Sequence, residues 1–167
     1  MYNQLTKKDI EDMEKEIEER KVVIRPKLLE AVKEARAQGD LSENFEYYAA
    51  KKEKNHNESR IRFLERMIRT AEIIEENSGE DEVGVNDTVN LLFEDDMTEN
   101  EITIVSTMRG DSLKNLISVE SPIGKAIMGH KIDERVEIHL DNGYSFFVKI
   151  LKISKDNLGE EASLRGF

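Results

Sequence analysis

Asp40 and Glu43 stand in the run Gly39-Asp40-Leu41-Ser42-Glu43-Asn44, at the turn between two long helical segments. Two carboxylates presented together form an incomplete site for a hard cation. Mg²⁺ takes about six oxygen ligands and commonly accepts one or two of them from protein carboxylates, with phosphate and water supplying the rest. Alone, such a pair holds the ion weakly. Carried into a partner that already has carboxylates and a phosphodiester, it could complete a two-metal centre in which one ion activates water for in-line attack. The same spacing has a plainer use. Asp at an N-cap with Glu three residues later is a capping-box pattern, and acidic groups suit the positive end of a helix. Spacing alone leaves both readings open. Capping does not explain the flanking cations Lys33, Arg36, Lys51, Lys52 and Lys54, although each of these taken singly reads as a solvated helix face or as half of an ion pair with Glu34, Glu46 or Glu53.

The elements that present these residues follow from periodicity. Between Thr6 and Ala37, Ile10, Met13, Ile17, Ile24, Leu28, Val32 and Ala35 recur at helical spacing among charges, which predicts one long amphipathic helix. Pro26 predicts a kink or break around Val23 to Pro26. A second helix is predicted from about Ser42 to Asn77, with Ile61, Leu64, Ile68, Ala71 and Glu75 on a 3-4-3-4 seam. Toward the turn the corresponding positions are Tyr47, Ala50, Lys54 and Asn57, so that end should depend on capping and ion pairs. So short a connection folds two helices into an antiparallel hairpin, and some 30 helical residues make a rod of about 45 Å.

After Asn77 to Glu82, a linker by composition, the period changes to two. Strands are expected over Asp87 to Glu94 and Glu101 to Thr107. Val136-Ile138-Leu140 and Phe146-Val148-Ile150 should pair as a hairpin across Asp141-Asn142-Gly143, where Asn-Gly supplies positive φ. Ser121-Pro122 and Gly129 bracket a short helix. The expected organisation is α+β: a coiled-coil hairpin over 1–77, a linker at 78–82, a small antiparallel sheet domain with one helix over 83–154, and a tail at 155–167 without a readable pattern.

Composition bounds the function. The net charge of −11 opposes wholesale wrapping of nucleic acid, but it is unevenly spread. Residues 1–77 carry 16 Lys/Arg against 18 Asp/Glu, while residues 78–167 carry 9 against 18. The first half can approach a nucleic acid and the second should avoid it. The absence of cysteine excludes disulfides and thiolate metal sites. No signal core or membrane-length apolar run is evident, so a cytoplasmic protein without a membrane partner is expected. His56, His130 and His139 have no ligand spacing.

Two blocks carry a family resemblance. Glu34-Ala35-Arg36-Ala37-Gln38-Gly39-Asp40-Leu41-Ser42-Glu43-Asn44-Phe45-Glu46-Tyr47-Tyr48-Ala49-Ala50-Lys51 resembles the tip signature of the Gre transcript cleavage factors of bacterial RNA polymerase, on the GreA side of that family. Asn115-Leu116-Ile117-Ser118-Val119-Glu120-Ser121-Pro122-Ile123-Gly124-Lys125-Ala126-Ile127-Met128-Gly129 is similar to the family's C-terminal domain. Leu5-Thr6 and Arg25-Pro26 also match, so the likeness spans nearly the whole chain.

The resemblance implies a coiled coil that enters the polymerase secondary channel and an FKBP-like domain that docks at the channel rim. It assigns Asp40 and Glu43 to positioning Mg²⁺ and water, the ion being held jointly with the polymerase and not stably by the chain alone. Arg36 and Lys51 fall where the family carries basic residues that contact RNA near the tip. The partners implied are RNA polymerase and the 3′ end of backtracked RNA, with the factor a monomer and the hydrolysis performed by the polymerase. Ser42 and Tyr47 match the signature without an assigned chemical step. The FKBP-like domain reads as a binding module, since its aromatics, Phe93, Tyr144, Phe146, Phe147 and Phe167, suggest no concentrated pocket. Three departures stand out: Asp9 replaces a family glycine, Asp141-Asn142-Gly143 replaces a proline and glycine turn, and the chain past Ile153 is longer than expected. The alternative is a non-cleaving channel regulator, or a coiled-coil interaction protein whose tip is structural.

Overall fold

The computed structural model describes residues 3–39, 44–75, 78–155 and 162–166. The chain divides into two compact units, Ile10–Ala71 and Met1–Asp9 with Glu72–Gly166. No helix among the described residues is long and apolar enough to cross a membrane.

The first unit is a helical hairpin. Its ascending arm is α1 (Lys7–Glu19), a π-helical turn (Arg20–Ile24) and α2 (Arg25–Ala37); its descending arm is α3 (Phe45–Arg69). The break expected near Pro26 takes the form of that π-turn. Pro26 sits in the first turn of α2, directly after that π-turn, so its missing N–H interrupts the hydrogen-bond ladder of a helix that otherwise runs on without a break. The seam on α3 follows the expected spacing, with Tyr47, Asn57, Ile61 and Leu64 buried. Polar side chains on this face pair across the hairpin. The buried Asn57 accepts from Arg20 at 2.9 Å and donates to the Arg20 carbonyl at 3.3 Å. The buried Arg60 donates to Glu16 at 2.7 and 3.2 Å, and Arg20 reaches the same carboxylate at 2.8 Å. Burial pushes the Glu16 carboxyl upward, but the hydrogen bonds from Arg60 and Arg20 outweigh it and hold the group below its ordinary range. Lys21–Glu65 at 2.6 Å and Arg25–Glu58 at 3.0 Å add half-exposed pairs. These pairs lie in the middle and lower hairpin, not beside the turn where the weak seam had suggested them.

The descending helix is shorter than its periodicity suggests. Thr70 terminates α3, and β2 (Ala71–Ile73) pairs with β1 (Asn3–Leu5), the Ile74 amide donating to the Leu5 carbonyl at 2.9 Å. Ala71 and Glu75, counted above as seam positions, therefore lie beyond the helix. Two three-residue strands leave too little length for an alternation to register.

In the second unit, β3 (Thr88–Phe93), β4 (Thr98–Val105), β5 (Leu116–Ser118), β6 (Arg135–His139) and β7 (Ser145–Ser154) form one sheet in the order β5-β4-β3-β7-β6. All neighbours are antiparallel except β4 and β5, so the sheet expected to be antiparallel has one parallel edge. Val136 faces Val148 and Ile138 faces Phe146, as the alternation requires. The helix α4 (Pro122–Ile127) begins at Ser121, whose Oγ accepts from the Gly124 amide at 3.0 Å. Gly124 is obligatory in this packing, since a Cβ there would lie 2.1 Å from the Ser118 carbonyl oxygen. The core is built from Val89, Leu91, Ile104, Ile127, Val148 and Ile150.

The β6–β7 hairpin turns across Asp141-Asn142-Gly143 as expected, with the positive φ at the glycine. Gly143 donates to the Leu140 carbonyl at 3.1 Å and alone adopts a positive φ of 87°, which makes a type I turn followed by a bulge glycine.

At the start of α1, Thr6 and Asp9 cap one another reciprocally, at 2.9 and 3.2 Å. Asp9, only 1% exposed, also pairs with the buried Arg109, which donates to the Ala162 carbonyl at 2.7 Å. The Arg165 amide donates to the Met108 carbonyl at 2.7 Å, so the tail that had no readable pattern is tied back to this unit through its backbone. Backbone contacts leave no signature in side-chain periodicity.

Candidate functional site

Asp40 and Glu43 lie outside the described residues, as does Ser42. The residues on either side define the frame that holds them. On the ascending side α2 ends at Ala37 and Gly39 has a φ of 129°, a conformation open to glycine and strained for other residues. On the descending side α3 begins at Phe45, and its N-cap is Asn44.

Asn44 does two jobs. Its Oδ1 accepts from the Tyr47 amide at 3.0 Å, which satisfies one of the free donors of the first turn. Its Nδ2 donates to the Ala35 carbonyl at 2.7 Å, which ties the start of α3 to the last turn of α2. The N-cap of α3 is thus supplied by an amide side chain. Sequence reasoning gave Asn44 no role; its position directly before a helical run, as a favoured N-cap residue type, was the available signal.

A second clamp lies one turn further on. Tyr47 is buried at 8% exposure, and the Arg36 guanidinium carbon sits 5.5 Å from its ring centroid, within cation–π range. Arg36 Nη2 is also 3.4 Å from the Tyr47 hydroxyl. The phenol is held below its ordinary value, chiefly by that contact with Arg36, with the positive charges of Lys51 and Lys54 adding to it. The structure therefore brings Arg36 and Lys51, the two expected RNA contacts, into one electrostatic neighbourhood around Tyr47. Ion pairs with Glu34, Glu46 or Glu53 are not what occupies Arg36. The anchoring role of Tyr47 was not legible beforehand.

What this frame can do chemically is limited and clear. It offers the cations Arg36, Lys51 and Lys54 around Tyr47, on two helices clamped to each other by Asn44 and Tyr47.

Elsewhere, Phe93, Tyr144 and Phe146 come together at one end of the sheet, with centroid distances of 5.9 Å for Phe93 and Phe146 and 6.1 Å for Tyr144 and Phe146. They line a shallow cleft with Asp95 and Asp96, so the aromatics are more concentrated than their sequence positions implied. The Tyr144 hydroxyl donates to Asp95 at 2.7 Å, and that carboxylate raises the phenol above its usual value.

Comparison with known proteins covers most of the chain. Residues 3–73 match the family model described as transcription elongation factor, N-terminal, and residues 77–155 match transcription elongation factor, GreA/GreB, C-term. A protein of Bacillus velezensis named transcription elongation factor GreA is 42% identical over 150 residues, covering 90% of this chain and 95% of its own length. The Bacillus subtilis protein of that name is 41% identical over 150 residues, with the same coverage. The Lachnoclostridium phytofermentans protein of that name is 40% identical over 156 residues, covering 93% and 97%.

Proposed function

Since the chain belongs to the GreA/GreB family of transcription elongation factors, we propose that its hairpin enters the secondary channel of RNA polymerase and stimulates the polymerase's own hydrolysis of backtracked RNA. Asp40 and Glu43 lend carboxylate oxygens at the polymerase active site. Mg²⁺ held jointly with the polymerase supplies charge stabilisation and an activated water there. The chain's contribution is presentation: α3, at 25 residues, is about 37 Å long, enough to carry an acidic pair down a deep channel. Arg36 and Lys51 contact phosphates of the RNA 3′ segment and position it without reading its sequence. The second unit docks on the polymerase surface, and the factor acts as a monomer in the cytoplasm.

The observation that carries this reading is Asn44. It gives α3 an N-cap of its own and ties that helix to Ala35, which supports a role other than capping for the two acids that precede it.

The test is single-turnover cleavage in a backtracked elongation complex with Mg²⁺. Wild type accelerates cleavage, and the double variant Asp40→Asn, Glu43→Gln loses at least about a hundredfold, the scale on which misplaced reacting groups cost rate. Circular dichroism of the variant stays at the wild-type helicity. Cleavage by the variant at the wild-type rate would refute the assignment, and a collapse of helicity would return the two acids to a capping role.

A further inference from the structure

The first turn of α3 exposes more aromatic surface than a hairpin needs. Phe45 is 85% exposed and Tyr48 is 50% exposed. At about 100° per residue, Phe45, Tyr48 and Lys52 fall within about 60° of one another, on the side of α3 opposite the seam that buries Tyr47 and Asn57. Glu46 and Glu53 project about 90° away from this stripe, toward the seam. Lys51 borders it on the Tyr48 side. The Tyr48 ring is propped against Tyr47, with centroids 5.5 Å apart and planes tilted by 60°. Both lysines are exposed, and neither has an ion-pair partner among the described residues.

Rings followed one turn later by ammonium groups are suited to a ligand that is flat and apolar on its faces and anionic along its edge. Single-stranded nucleic acid has that form: bases stack on aromatic side chains and phosphates meet the cations. An apolar protein surface would satisfy the rings and leave the lysines desolvated. We propose that Phe45 and Tyr48 stack on unpaired bases of single-stranded RNA while Lys51 and Lys52 meet its phosphates. This rests on the function proposed above for the source of that RNA, the extruded 3′ segment. The contact is sequence-tolerant, because every base has a stacking face.

The test uses the full chain and two fluorescent ten-nucleotide ligands at low salt, an oligouridylate and an abasic RNA of equal length, read by anisotropy. Wild type binds the base-bearing strand about thirtyfold more tightly, the low end of what two stacked bases provide. The variant Phe45→Ala, Tyr48→Ala binds both strands equally, at the wild-type affinity for the abasic one. Lys51→Ala, Lys52→Ala weakens both strands alike. No preference for bases in wild type, including no binding at all, overturns the proposal, as does a preference that survives loss of both rings. If the ring variant binds RNA normally but binds a non-backtracked polymerase complex less tightly, the occupant is protein and the proposal also fails. A wild-type preference for bases without any stimulated cleavage would instead overturn the proposed function and leave this site standing.

Discussion

Replacing Asn44 by alanine should loosen the tip without unfolding the hairpin. The substitution removes the N-cap acceptor that holds the Tyr47 amide, a loss of about 1 kcal/mol, and the hydrogen bond to the Ala35 carbonyl, about another 1 kcal/mol. Together they lower the free energy of opening the first turn of α3 by about 2 kcal/mol, a factor of about 30 in the population of the frayed state. The effect is local, because the Glu16–Arg60 and Asn57–Arg20 contacts lie several turns away and share no partner with it. Amide hydrogen exchange at Tyr47 and Tyr48 should accelerate by about that factor, while exchange at Ile61 and Leu64 stays unchanged. Cleavage in a backtracked complex should fall about tenfold or more, with affinity for the polymerase retained, because only the presentation of the acids is disturbed. Asn44→Asp keeps an acceptor for Tyr47 and loses the donor to Ala35, so it should fall between wild type and alanine in exchange. Unchanged protection at Tyr47 in Asn44→Ala would refute the two-sided clamp. Accelerated exchange with undiminished cleavage would show that tip order is irrelevant to function.

Three further outcomes follow from other parts of the molecule. Asp9→Asn deprives the buried Arg109 of its carboxylate and should cost about 3 kcal/mol, a drop in Tm of about 6 to 12 °C by calorimetry; a shift below about 2 °C would mean that the pair contributes little. The folded-state pKa of Glu16 is depressed, so the stability it contributes is present above its ordinary value of 4.5 and is lost as pH falls through the folded value. Denaturant midpoints should therefore drop in acid for wild type and drop less for Glu16→Gln, equal slopes against pH being the contrary result. Gly124→Ala drives a Cβ into the Ser118 carbonyl and should shift α4 or lower the stability of the second unit by about 1 to 3 kcal/mol, whereas an unperturbed melting curve would show that the backbone yields there freely.

How much of this was legible depends on the length of the pattern. The hairpin seam could be read through Asn57 and Ile61 because a 3-4 spacing sustained over six turns outweighs any single polar residue, and the β6–β7 pairing because alternation fixes register on both strands. The three-residue strands β1 and β2 and the parallel edge β5 are too short to show a period, and the end of α3 was overrun because Ala71 and Glu75 happened to continue the seam. The ion-pair network around Glu16 joins residues up to 44 positions apart, a pairing that charge composition permits but does not specify. At the site, the acids and cations could be named from residue type and spacing. The clamps by Asn44 and Tyr47 could not, because both depend on how closely α2 and α3 approach at Ala35 and Arg36.

The central claim is that Asp40 and Glu43 act as ligands on a shared ion, and the direct measurement is a Mg²⁺ titration of factor-stimulated cleavage beside nucleotide addition by the same complexes. The account predicts that Asp40→Asn raises the Mg²⁺ concentration for half-maximal cleavage at least about tenfold while that for nucleotide addition stays fixed, since removing a carboxylate ligand weakens an incomplete oxygen cage. A variant that cleaves slowly at every Mg²⁺ concentration, with the same half-maximal point as wild type, would contradict it.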